Sequence, residues 1–84
     1  MPLVRLERQH GRGVAVTRPV TAREVQVLQG FADGLGRKQI ATRLGISENT
    51  VASHTVRIRE ALGAGAPSSP AGLVGWAFRA GLVT

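Results

Sequence analysis

The stretch Arg37-Lys38-Gln39-Ile40-Ala41-Thr42-Arg43-Leu44-Gly45-Ile46-Ser47-Glu48-Asn49-Thr50-Val51 decides the fold. Residues 37–44 read as a short helix, with Ile40, Ala41 and Leu44 on its buried face and Arg37, Lys38 and Arg43 turned outward. Gly45-Ile46-Ser47 then makes a tight turn. Gly45 suits the positive φ that ends a helix, Ile46 drops into the core, and Ser47 stands as the N-cap of the next helix. Glu48 falls near the positive end of that helix's dipole. Helix, three-residue turn, helix is a helix-turn-helix by local chemistry alone.

Downstream of the turn, a third helix is predicted over about 48–62. With Val51 at 0° and a step of about 100° per residue, Val51, Thr55, Ile58 and Leu62 fall within about 40° of one direction. Asn49, Ser53, Val56, Arg57 and Glu60 point the other way. Upstream, Thr21-Ala22-Arg23-Glu24 fits a capping box with Val20 as a hydrophobic staple, opening a helix over about 21–34. Val25, Leu28, Ala32 and Leu35 form its expected core stripe, and Asp33-Gly34 marks its end. Residues 63–69 are a loop by composition, and Ser69-Pro70 is an N-cap followed by proline at the first position of a last helix, about 70–80, that stops at Gly81. That helix is apolar nearly all round (Leu73, Val74, Trp76, Ala77, Phe78). Gly72 and Gly75 each cost it up to about 1 kcal/mol relative to alanine, so either close approach of another segment or a GC-rich codon bias accounts for them.

Residues 1–19 alternate weakly, with Leu3, Val4 and Leu6, then Val14 and Val16, around Gly11-Arg12-Gly13. They read as a short β-hairpin or a basic arm, preceding a helical domain over 20–84. The whole chain has 84 residues, 11 Lys+Arg against 5 Asp+Glu, and no cysteine. A single domain of this size buries roughly 60–65% of its unfolded surface and has no disulfide to staple it. Missing cysteines remove thiolate zinc sites, iron–sulfur clusters and cysteine nucleophiles, and make an intracellular, cytoplasmic protein the default. No stretch approaches the ~18–20 apolar residues of a membrane span. The formal charge of +6 points to a polyanion, nucleic acid first and an anionic membrane surface second, or simply to a basic surface.

The run from Thr21 to Gly63 resembles the LuxR/GerE-type helix-turn-helix family. Thr21, Arg23, Glu24, Val27, Leu28, Ala32, Gly34, Lys38, Ile40, Ala41, Leu44, Ile46, Ser47, Thr50, Val51, His54, Ile58 and Leu62 fall in register without a gap. The resemblance implies an all-α, four-helix DNA-binding domain whose third helix enters the major groove and whose fourth helix often mediates dimerisation. Family domains are usually appended to a sensor or receiver domain, and here a stand-alone regulator is expected, Met1 favouring that over an excised domain. Two positions depart from the family, which commonly has lysine where this chain has Ala52 and Ala61.

The expected base-contacting residues are Asn49, Ala52, Ser53, Val56 and Arg57. Those expected at phosphates are Thr21, Arg37, Lys38, Arg43, Thr50 and His54. Val56 is either a partner for a thymine methyl or an ordinary exposed valine, and Arg57 is suited to a guanine edge or a phosphate. His54 borders the core, so it reads as a phosphate contact or as a structural histidine. Leu73, Trp76, Ala77 and Phe78 are candidates for a homodimer contact, or Trp76 and Phe78 complete the monomer core. Arg5, Arg8 or Arg12 would add a phosphate or minor-groove contact, so that deleting residues 1–18 weakens DNA binding without unfolding the domain.

No metal or other cofactor is expected: the two histidines, His10 and His54, lie far apart and acids are sparse. An enzyme is not expected either, since there are no paired carboxylates, no nucleophile elbow and no phosphate-cradling glycine loop. The leading expectation is a sequence-specific regulator of transcription on double-stranded DNA, acting as a dimer. The alternative is an interaction module of the same fold that partners a larger regulator or RNA polymerase, suggested by Ala52, Ala61 and the outward Glu60.

Overall fold

Thr21 is the hinge between an extended lead-in and the helices. Its backbone is extended (φ −77°, ψ 161°), its hydroxyl accepts from the Glu24 N–H, and the Glu24 carboxylate accepts from the Thr21 N–H in return. The computed structural model describes residues 3–4, 18–63 and 65–84. Its elements are β1 (Leu3–Val4), β2 (Val20–Thr21), α1 (Ala22–Ala32), α2 (Arg37–Leu44), α3 (Glu48–Leu62) and α4 (Pro70–Arg79). The fold is the expected all-α, four-helix arrangement. α2 and α3 have the expected bounds, whereas α1 ends at Ala32, where Asp33 caps and Gly34 turns with φ 87°. α4 ends at Arg79, with Ala80 as its cap and Gly81 at φ 75°.

Strand β1 pairs antiparallel with β2, Leu3 opposite Thr21 and Val4 opposite Val20. The turn expected at Gly11-Arg12-Gly13 and the run Val14–Thr17 lie outside the described residues. The partner of Leu3–Val4 is instead the entrance to α1. Val20 must run extended to reach the N-cap, and it is fully buried on the way, so its backbone is available as a strand edge.

The core is divided by α1. Leu28 joins Val20, Ile58, Ala61, Leu62, Leu73, Trp76, Ala77, Ala80 and Val83 in the larger cluster. Val27 joins Ile40, Ala41 and Val51 in a smaller one, edged by Phe31, Leu35, Leu44 and Ile46. The buried residues of α1 are therefore Glu24, Val27, Leu28 and Gly30, while Val25, Ala32 and Leu35 are only half-buried. The single stripe expected from periodicity is corrected for a packing reason: α1 is covered by α4 on one flank and by α2 on the other, so its buried sector is wider and centred elsewhere.

Two glycines are tertiary requirements. A Cβ on Gly30 would lie 2.7 Å from Ile40 Cγ1, so only glycine lets α2 seat this close to α1. A Cβ on Gly72 would lie 2.6 Å from Pro67 Cβ, fixing the loop before α4. Gly75 differs, because its Cβ would meet only the end of the Arg79 side chain at 3.5 Å. Close approach thus accounts for Gly72 and not for Gly75.

An ion pair ties the lead-in to α1 and α3. Arg18 donates to both Glu24 carboxylate oxygens at 3.0 and 2.9 Å, and also to the carbonyls of Pro19 and Arg57 at 2.9 Å each. Truncating residues 1–18 would remove this arginine together with β1, so such a deletion tests the fold as well as any DNA contact. Burial pushes the Glu24 carboxyl up, but the bonds from Arg18 and the Thr21 N–H outweigh it, and the group titrates below its ordinary 4.5. At the other end of α1, the Gln29 amide closes on the backbone of Thr84, donating to its carbonyl at 3.0 Å and accepting from its N–H at 3.1 Å.

Three expectations follow for thermal melts followed by circular dichroism. Gly75→Ala should stabilise by about 0.5–1 kcal/mol, whereas Gly30→Ala and Gly72→Ala should each destabilise by about 1–2 kcal/mol because overpacking exceeds the gain in helix propensity. Glu24→Gln should cost about 1–2 kcal/mol at pH 7, less than a fully buried pair because Arg18 remains 37% exposed. Because the folded carboxyl titrates below the unfolded one, its contribution is complete above about pH 4.5 and lost as pH falls through the folded value. The wild type should therefore converge on Glu24→Gln in acid; a constant gap at every pH would refute the assignment.

Candidate nucleic-acid interface

The turn that aims α3 is built from its own residues. Gly45 adopts φ 70°, and the Ile46 N–H returns to the Ala41 carbonyl at 3.0 Å. Ile46 packs half-buried against the smaller cluster. Ser47 Oγ accepts the Thr50 N–H at 3.0 Å and shares a 2.9 Å hydrogen bond with the Thr50 hydroxyl. At the start of α2, Gln39 Oε1 accepts the Gly36 N–H at 2.9 Å, a cap that the sequence reading did not anticipate.

Inward, α3 is gripped by both clusters, Val51 in the smaller and Ile58, Ala61 and Leu62 in the larger. Thr55, also buried, satisfies its hydroxyl on the Ala52 carbonyl at 2.7 Å. Outward, Asn49, Ser53, Val56 and Arg57 are exposed together along one face, with Ala52 half-buried beside them. The five residues expected to meet bases therefore share one helix surface. Ala61, in contrast, is fully buried, so the lysine that the family commonly has there is not a surface cation missing from this face.

The residues expected at phosphates lie on three elements. Arg37, Lys38 and Arg43 are exposed on α2, Arg43 standing 3.5 Å from Asp33 in an open ion pair. Thr21 and Thr50 are half-buried, and each hydroxyl oxygen already serves a helix start. His54 is half-buried too, and its Nδ1 is buried without a hydrogen-bond partner among the described residues. Burial pushes its pKa below 6.5, Glu24 opposes that and the cations Arg57 and Arg23 reinforce it. That shift favours the neutral imidazole, one of whose two ring nitrogens carries a proton. A neutral N–H donor of that kind suits a phosphate oxygen.

The candidate self-association residues separate. Leu73, Trp76 and Ala77 are buried in this chain's own core, the Trp76 Nε1 having no hydrogen-bond partner among the described residues. Phe78 is 50% exposed. Arg18 is not among the residues expected at the site, yet it engages Glu24; no local pattern marks a pair six residues apart across a proline. Among the described residues there is no group of three His, Asp or Glu able to hold a metal, and no helix is long and apolar enough to cross a membrane.

Comparison with known proteins matches the sequence that builds this surface to a family. Over 45 residues, 54% of the chain, it is 44% identical to the transcriptional regulatory protein UhpA of Escherichia coli (strain K12). Over 51 residues, 61% of the chain, it is 41% identical to the uncharacterized transcriptional regulatory protein YxjL of Bacillus subtilis (strain 168). In each case the match spans 23% of that protein's length. No solved structure matches the chain significantly. The GerE family model, described as bacterial regulatory proteins of the luxR family, matches residues 18–68. That span opens at Arg18, whose ion pair fixes α1, and holds both helices of the turn, so the chain belongs to the luxR family of bacterial regulatory proteins through its DNA-binding helix-turn-helix domain.

Proposed function

We propose that this chain is a sequence-specific, double-stranded-DNA-binding regulator of transcription that lays α3 in the major groove and acts in the cytoplasm as a homodimer on two half-sites. The observation that carries the reading is the exposed row Asn49, Ser53, Val56 and Arg57 on a helix held from behind by two core clusters, beside the exposed cations of α2. A helix of this kind fits the major groove, and cations flanking it fit the phosphates on either side. The two relatives named as transcriptional regulatory proteins support it.

In this reading Asn49, Ala52, Ser53, Val56 and Arg57 face base edges. Arg37, Lys38 and Arg43 lie along one phosphate strand, with Thr21 and Thr50 donating to phosphate oxygens at the starts of α1 and α3 and His54 donating to one from two turns into α3. A single module of this kind buries roughly 600–1,000 Å², too little for tight specific binding, so a second copy supplies the other half-site. With Leu73, Trp76 and Ala77 committed to the monomer, Phe78 is the anchor proposed for that contact. The contribution proposed for Arg5, Arg8 or Arg12 falls outside the described residues. No catalytic role is part of this reading. Partnership with RNA polymerase or a larger regulator is the competing outcome, and the burial of Ala61 removes one of its supports.

Titrating fluorescent duplexes with the chain at two salt concentrations tests this directly. Selection from genomic fragments should recover a near-palindromic site. Lys38→Ala should weaken binding to all sequences and make the log–log salt slope shallower by about 0.9, the value of one phosphate contact, whereas Arg57→Ala should also relax sequence preference. Phe78→Ser should leave the melting temperature within a few degrees of wild type and convert two-site binding to single-site binding. Weak binding that neither Lys38→Ala nor Arg57→Ala alters would overturn the DNA-reading function in favour of a protein partner.

A further inference from the structure

Val56 and Phe78 are the large apolar side chains left exposed among the described residues, Val56 at 47%. The fold does not call for valine at position 56. The core stripe of α3 is completed by Val51, Ile58, Ala61 and Leu62, and a β-branched residue on an exposed helix face is a poorer helix former than alanine. Its surroundings are polar: Ser53 lies one turn before it, Asn49 two turns before, and Arg57 follows it. The apolar exception is Ala52, at i−4, whose half-buried methyl shares the same face.

A face that carries exposed Arg57, on a helix packed against the one bearing exposed Arg37, Lys38 and Arg43, is complementary to a polyanion, and an apolar spot on such a face needs an apolar group on that polyanion. In the major groove of DNA, the apolar group that a base pair presents is the C5-methyl of thymine. Resting on the DNA-binding reading above, we infer that Val56, backed by Ala52, packs on a thymine C5-methyl in each half-site and selects thymine at that position. Val56 is then a specificity-determining residue that carries no charge and leaves the salt dependence unaltered. The feature recognised is the methyl group itself, because uracil has every hydrogen-bonding group of thymine and lacks only that methyl.

The uracil substitution supplies the test. Each thymine of the selected duplex is replaced in turn by deoxyuridine, and dissociation constants are measured for the full chain and for Val56→Ala, whose melting temperature should equal wild type or exceed it by a few degrees because the side chain is exposed and alanine is the better helix former. At one thymine per half-site, uracil should weaken wild-type binding about fourfold, the worth of one buried methylene-sized group, while Val56→Ala should bind the thymine and uracil duplexes equally. The salt slope of Val56→Ala should equal that of wild type. A selected site without thymine, or uracil losses that are equal for the two proteins, overturns the inference while leaving the DNA-reading function standing. Failure to select any duplex overturns both.

Discussion

One carboxylate holds three segments of this molecule in place. Glu24 closes the capping box at the start of α1 and receives both arms of the Arg18 guanidinium, which reaches on to the Arg57 carbonyl in the middle of α3. A buried carboxylate is costly unless it is paired and its lone pairs are satisfied, and here both conditions hold at once. The position of the outward face of α3 relative to α1 therefore depends on polar contacts as well as on apolar packing. The Arg57 backbone belongs to this framework while its side chain is free to face a ligand.

The helix-turn-helix itself was legible in the sequence because every feature that makes it is local. Gly45 has the left-handed backbone that its place after Leu44 demanded, Ser47 caps, Ile46 packs inward, and the bounds of α2 and α3 follow from those residues. The division of the core was not legible. A periodic pattern reports that a helix has a buried side, and it cannot report that two neighbours cover two sides, which is what shifts the buried sector of α1 from Val25 and Ala32 to Val27 and Gly30. Gly30 itself makes sense only against Ile40, ten residues on and in another helix.

The candidate interface divides along the same line. The outward face of α3 follows from an angle per residue, so Asn49, Ser53, Val56 and Arg57 could be gathered from the sequence. The apolar sweep of α4 offered no such guide: with hydrophobic residues on nearly every side, only the tertiary structure assigns Trp76 inward and Phe78 outward. Glu24 was hidden for a different reason. The capping box already explained it, and an explained residue gives no hint of a second partner.

The partition of the core by α1 also shapes how the molecule can come apart. Among the described residues, the cluster that seats α2 contains four buried side chains, and the one that seats α4 and the end of α3 contains ten. Opening α2 alone exposes far less apolar surface than global unfolding, so α2 and the turn after it are expected to open more readily than the rest of the molecule. Any ligand that grips α2 and α3 together therefore acts on the part that opens first. Binding to the closed form then stabilises the turn by mass action.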